Sequence, residues 1–367
     1  MNIDRRTLLK GAAAAAGLAA LSPLHALAAI PKPTLPLKIG FVYVSPIGDA
    51  GWTYQHDLGR KAVEESFGDK VQTKYVESVS EGADAERVIR DFAANGHQLV
   101  FATSFGYMNP TLKVARAFPK TVFEHATGYK QAANVGIYAA RYYEARYLAG
   151  IIAAKMSTTG TAGYIAAFPI PEVVMGINAF VRGMRSVNPD AQLKVVWVNA
   201  WFDPGKEREA ALTLAAQNAD VLTHHTDSTA VVQAAEEKGL YAIGYHSDMS
   251  KYGPKAHLTA ATHHWEGFYR KVVQDVIDGS WESSNVWGGL KDGMVDLAPL
   301  NPVVPGDVAA LVAQKKQEII DGKLHPFAGP LFDQDGRQVI GAGASLTDEE
   351  LLKMNYYVEG IVGKLPK

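Results

Sequence analysis

The sequence predicts an α/β protein of two similar lobes, each a parallel sheet with helices on both faces. Three observations predict it. From Leu37 onward, short apolar runs alternate with segments of helical period, and strand–helix–strand repetition requires parallel strands covered on both sides. The alternation starts afresh after a long helical stretch that begins at Tyr142, which marks a second lobe. The loops that follow the strands share aromatic and hydrogen-bonding residues, at the place where open α/β sheets bind ligands.

In the first lobe the apolar run Ile39–Val44 reads as a strand. A helix over Thr53–Phe67 follows, with Leu58, Ala62 and Val63 on one face. Thr73–Val76 is a strand, and Ala83–Asn95 is a helix with Val88, Ile89 and Phe92 inward, closed by Gly96. Leu99–Thr103 is a strand, Asn109–Ala117 a helix, and Thr121–Glu124 and Asn134–Tyr138 are short strands. After the helix Tyr142–Ala154, the second lobe repeats the pattern. Its strands are Thr161–Ala166, Gln192–Val198, Val221–His224, Tyr241–Tyr245 and Thr259–Thr262; its helices are Glu172–Ser186, Pro204–Gln217 and Ala230–Lys238, and another follows over Trp265–Asp278. The last third is less regular. Asn285–Leu297 and Phe327–Ile340 read as hairpins, the second turning at Asp335-Gly336, with a polar helix over Asp307–Asp321 between them.

Two stretches organise the site. In VWVNAWFDPGKE (Val196–Glu207) a strand runs straight into a helix whose start is marked by Asp203 as N-cap and Pro204 at the first helical position. Trp201 sits on the turn between them. The second stretch, Ser45–Trp52, joins the first strand to the first helix and ends on another tryptophan. Two indoles at two strand ends, one per lobe, suggest a cleft that clamps a flat ligand; core or lid packing is the alternative.

The other strand-end loops fit that picture. They carry Asp49 and Tyr54, Ser104 to Tyr107 with Phe105, Glu124 to Thr127, His224 to Ser228 with Asp227, Tyr245 to Asp248 with His246, and Thr262 to Trp265 with His263. Rings beside neutral or acidic hydrogen-bonding groups suit a heteroaromatic or sugar ligand. A polyphosphate would call for Lys, Arg and Gly-rich amides, and no P-loop or dinucleotide glycine fingerprint follows a strand. The histidine pairs could be read as a metal site, but neighbours in a strand point to opposite faces, so each pair offers at most one ligand. No nucleophile elbow and no His-Glu-x-x-His motif occurs. No catalytic residue, cofactor or metal ligand is expected.

The chain has 367 residues and 47% hydrophobic content, enough for two domains. A net charge of −2 gives no indication of nucleic acid or an anionic membrane surface as partner. With no cysteine, disulfides, thiol catalysis and lipid attachment at an N-terminal Cys are excluded. Residues 1–28 read as an export signal: Arg5-Arg6 precede a modestly apolar run, Gly11–Leu21, and Ala26-Leu27-Ala28 is a cleavage motif. The segment resembles a twin-arginine signal, with Asp4 where Ser or Thr is usual. The mature protein is expected to be soluble in the periplasm, without a stable membrane anchor.

Several stretches together carry a family resemblance: GDAGWTYQHDLGRKAVEE, TSFGYMNP, RYYEARYLAGIIAAKMS, FPIPEVVMGINAFVRGMRSVNP, VNAWFDPGKEREAA, HHTDS, AIGYHSDMS and FAGPLFDQDG. From Leu37 to the end the chain resembles the basic membrane protein family of ABC-transporter substrate-binding proteins, the purine nucleoside receptor type. The resemblance implies a type I periplasmic-binding-protein fold, two Rossmann-like lobes joined by a three-strand hinge. Lobe 1 would comprise residues 37–140 and about 258–298, and lobe 2 residues 141–257 and about 299–367. It implies a small-molecule purine ligand, an ABC permease as partner, a monomer and no enzymatic activity.

In that family a purine stacks between two aromatic rings, at positions that match Trp52 and Trp201. Base-edge contacts are expected from Thr127, Asp227 and Glu124. The motif G-V-D-x-D-Q reads here Gly244-Tyr245-His246-Ser247-Asp248-Met249, and T-S-x-x-K reads Thr259-Ala260-Ala261-Thr262-His263. The Asp and Lys that serve the ribose are thus replaced by His246 and His263. With Asp248, these would close the end where ribose lies, which implies a free base such as adenine. A nucleoside or sugar receptor of the same fold is the alternative, and a periplasmic nucleoside hydrolase the alternative from another class.

Overall fold

A computed structural model describes residues 32–366; the expected leader, residues 1–28, lies outside the described residues. The first lobe is laid down by β1 (Leu37–Val42), α1 (Trp52–Phe67), β2 (Val71–Val76), α2 (Ala83–Ala94), β3 (Leu99–Ala102), α3 (Met108–Ala117), β4 (Val122–Ala126) and β5 (Val135–Ala140). The chain then crosses over and builds α4 (Tyr142–Met156), β6 (Thr161–Ala166), α5 (Pro171–Arg185), β7 (Gln192–Trp197), α6 (Pro204–Ala216), β8 (Val221–His225), α7 (Ala230–Lys238), β9 (Tyr241–His246) and β10 (His257–His263). A second crossing returns it to the first lobe for α8 (Glu266–Asp278) and β11 (Asn285–Gly288). A third leads to β12 (Val295–Leu297), α9 (Gly306–Ile320) and a tail of β13 (Leu331–Phe332), β14 (Gln338–Ile340), α10 (Asp348–Leu351) and β15 (Ile361–Val362).

The first sheet has the order β11-β5-β4-β3-β1-β2 and the second β12-β10-β9-β8-β6-β7-β15. Their pairs are parallel, except that β12 runs antiparallel to β10. Two expectations are corrected here. Strands β10 and β12 both belong to the second sheet, so the segment that returns to the first lobe lies between them and is shorter than 258–298. Asn285–Leu297 is not a hairpin: β11 joins β5 and β12 joins β10, with the third crossing between them. Two short apolar runs around glycines look alike whether they pair with each other or with different sheets. The tail hairpin does form, between β13 and β14.

Strand alternation splits each lobe's core into two layers. In β1, Ile39 and Phe41 face the layer with Val63 of α1 and Tyr269 of α8, whereas Val42 faces the layer with Val88 and Phe92 of α2. In the second lobe α4 and α5 cover one face and α6 and α7 the other. Helices α4 and α5 touch backbone to backbone, because a Cβ at Gly150 would meet the Phe180 carbonyl and one at Gly183 the Tyr147 carbonyl. Among the described residues, no helix is long and apolar enough to cross a membrane.

Candidate ligand-binding cleft

The strands' carboxyl ends face one another across the cleft. Trp52 is the first residue of α1, placed there by Gly51, whose φ of 103° suits glycine. A Cβ at Gly51 would also collide with Asp227. The Trp52 indole donates Nε1–H to the Thr103 carbonyl at 2.7 Å. It lies edge-on to His56, His246, His263 and Trp265, with ring centroids 4.4–5.9 Å away. It is 9% exposed and fixed on nearly every side.

Trp201 comes from the turn between β7 and α6. Asp203 caps α6 by accepting the Lys206 N–H at 3.0 Å, and Pro204 opens the helix as its sequence requires. The Trp201 ring meets Phe168 edge-on at 4.9 Å and reaches across the cleft to donate Nε1–H to Glu81 at 3.1 Å. Glu81 also accepts from Ser104 Oγ at 2.6 Å and the Gly106 N–H at 2.8 Å.

Asp227, just beyond β8, joins the two sides. Its carboxyl accepts from Ser45 Oγ and from the Trp52 N–H, both in the first lobe. Its own N–H donates to the Trp201 carbonyl at 2.8 Å. Glu207 on α6 holds the same loop, accepting from Thr226 Oγ1 at 2.8 Å and Ser228 Oγ at 2.5 Å. Nearer the rim, the Gly51 N–H donates to Ser247 Oγ at 2.6 Å, and exposed Asp49 accepts from Lys251 and Tyr252. With so many ties between lobes, the cleft is closed.

One pocket, with about 400 Å³ of atom-free space, is lined by Trp52, Phe105, Thr127, Trp201, Asp227 and His246, together with Val44, Ser104, Glu172, His225 and Thr226. Burial decides its electrostatics. Burial pushes Glu172 up to about 8 and Asp227 up to about 7, with Glu207 adding to the latter. His225, His246 and His263 fall well below their ordinary value, again through burial first. Buried Arg146 acts in the same direction on all three; it donates to Thr223 Oγ1 at 3.0 Å and the His224 carbonyl at 2.6 Å and lies 3.5 Å from the Tyr245 ring centre. The pocket therefore presents neutral imidazoles and a neutral carboxyl beside two indoles.

Six of the twelve residues expected at the site line it: Trp52, Phe105, Thr127, Trp201, Asp227 and His246. His263 lies directly behind His246, with their Nδ1 atoms 3.3 Å apart. The other five do not line the pocket. Glu124 is buried inside the first lobe, accepting from Trp281 Nε1 at 2.8 Å, because β4 runs two residues past it. Asp248 faces solvent and accepts the Ser250 N–H at 2.8 Å. Tyr245 is buried against Arg146, Asp49 stands at the rim and Tyr54 is half-buried along α1. Glu172 and Val44 are missed by sequence reasoning. Glu172 stands in the first turn of α5, just after the loop that follows β6, a strand-end position like the others, and that position is the signal that could have found it. Among the described residues no group of three or more His, Asp or Glu could hold a metal ion.

Comparison with known proteins agrees with this architecture. A family model described as ABC transporter substrate-binding protein PnrA-like matches residues 37–324. A purine-binding protein of Brucella abortus is 52% identical over 90% of this chain and 94% of its own length. A putative ABC transporter glucose-binding protein of Haloferax volcanii is 41% identical over 90% of this chain and 81% of its own. The crystal structure of an ABC transporter solute-binding protein from Aeropyrum pernix superposes with a TM-score of 0.71 at 20% identity, covering 80% of this chain and 94% of that one. The family consists of solute-binding proteins of ABC transporters, not enzymes, and the two-lobed α/β fold is theirs. The chain belongs to the Bmp family of PnrA-like ABC transporter substrate-binding proteins.

Proposed function

We propose that this protein captures a purine, in the first instance the free base adenine, between Trp52 and Trp201 and delivers it to an ABC permease. The observation that carries the reading is the pair of indoles, one from each lobe, lining a single pocket. Aromatic stacking on a base contributes about 1–3 kcal/mol per ring and requires only a flat face. The relative at 52% identity is named a purine-binding protein, which supports the ligand class. His246 lines the pocket with His263 behind it, and neither supplies the Asp or Lys that the resemblance assigns to a ribose, which favours a base over a nucleoside.

A sugar is the second reading, favoured by the printed name of the Haloferax relative, since indoles also stack on sugar rings. We further propose that residues 1–28 direct export by the twin-arginine route, that the mature protein acts in the periplasm as an unanchored monomer, and that closure presents both lobe surfaces to the permease.

Calorimetric titration of refolded, ligand-stripped protein with adenine, adenosine, ribose and glucose tests the reading. Tight adenine with weak adenosine and no heat from either sugar is expected. Glucose or ribose binding without any response to adenine would overturn it.

A further inference from the structure

We propose that Glu172 is the specificity-determining residue of the cleft, reading an amino group and the adjacent ring nitrogen of the purine through a two-point hydrogen-bonded pair. This rests on the cleft being a purine site. Three observations point to it. Glu172 lines the same pocket as both indoles. Its side chain is only 17% exposed and has no hydrogen-bond partner among the described residues; Oε1 stands 3.4 Å from His225 Nε2. It is the second residue of α5, directly after Pro171, so its backbone is fixed and its carboxyl is positioned from a rigid element.

That approach to His225 is an ion pair only if both groups are charged. The imidazole is held well below its ordinary range by burial, Arg146 and His224, and burial raises the carboxyl. The pair is therefore neutral with neutral near pH 7. Other groups surround it. Arg146 and Tyr142 come from α4, Tyr164 from β6, Tyr245 and His246 from β9, and Asp227 from beyond β8. The positive end of α5 favours the anion, and burial opposes it.

A neutral carboxyl offers one donor and one acceptor, whereas a carboxylate offers acceptors only. Adenine presents an amino donor beside a ring-nitrogen acceptor on both edges that carry the 6-position, so a neutral Glu172 pairs with it in either orientation. A 6-oxopurine presents two acceptors at O6 and N7, and so fits one edge only. An ionised Glu172 has no proton for either ring nitrogen of adenine. Adenine binding should thus weaken as Glu172 loses its proton, and an amide at position 172 should reproduce the neutral form at every pH.

The test is calorimetric titration of the mature protein, Glu172→Gln and Glu172→Ala with adenine, hypoxanthine and guanine from about pH 6.5 to 9.5, with thermal melts as folding controls. Wild type should prefer adenine and lose affinity at the alkaline end. Glu172→Gln should keep adenine binding and lose that pH dependence. Glu172→Ala should weaken adenine by roughly tenfold or more. Adenine binding by Glu172→Ala equal to wild type, or the same alkaline loss in Glu172→Gln, would overturn the role of Glu172 and leave the purine site standing. If Glu172→Ala fails to fold, the wild-type and Glu172→Gln pH series decide alone. Wild type that binds no purine overturns the site and the role together.

Discussion

The carboxyl of Asp227 in the second lobe accepts the backbone N–H of Trp52 in the first. Because the Asp227 N–H also donates to the Trp201 carbonyl, one residue sets the spacing of both indoles. The placement of the two indoles therefore depends on backbone contacts as much as on the rings' own packing.

Asp227→Ala removes the acceptor for Ser45 Oγ and the Trp52 N–H. Losing one partner of a buried hydrogen bond costs about 1–3 kcal/mol. Adenine affinity should fall by about that amount in calorimetry, while the fold persists. Unchanged affinity would mean that the indoles are spaced by something else.

The two tryptophans should respond differently to truncation. Each change to Ala should weaken purine binding by about 1–3 kcal/mol. Trp52 is ringed by aromatic neighbours and 9% exposed, so Trp52→Ala should also destabilise the fold by about 3–5 kcal/mol. Trp201 is half-buried, and its variant should melt close to wild type. Thermal melts without ligand separate the two effects.

Glu124 carries a pH prediction away from the cleft. Burial pushes its carboxyl up from 4.5 to about 8. Between those values the folded state keeps a proton that the unfolded chain releases, so this group makes stability fall as pH rises through that window. Glu124→Gln preserves an acceptor for Trp281 and removes the titration. Variant and wild type should melt alike near pH 5, and the variant a few degrees higher near pH 8.5.

Acid should act through the histidines with the opposite sign. Burial lowers His125 and His257 to about 4 and His224 to about 3, from 6.5. Below 6.5 the unfolded chain binds protons that the folded state refuses, so stability is lost as pH falls from about 6.5 toward 4. The melting temperature should drop steadily over that range, and a flat profile would contradict buried neutral imidazoles.

Strand–helix alternation and the restart at Tyr142 made the two lobes readable, because buried parallel strands are nearly continuous apolar runs. Trp52, Trp201 and Asp227 were readable because strand-end loops in this architecture converge. Glu124 misled because its strand was expected to end there. β4 continues to Ala126, which turns Glu124 into the core and brings Thr127 to the cleft. Asp248 misled similarly, lying two residues beyond the end of β9 and turned to solvent. Glu172 was hidden in a Pro-Glu pair that reads simply as a helix start. The destination of β10 and β12 depends on long-range pairing, which no local pattern encodes.

The most direct measurement is a crystal structure of the mature protein grown with adenine. The account predicts the base between the indoles, about 3.5–4.0 Å from each ring, with its 6-amino group at Glu172. A ligand stacked on only one tryptophan, or seated outside the pocket, would contradict it.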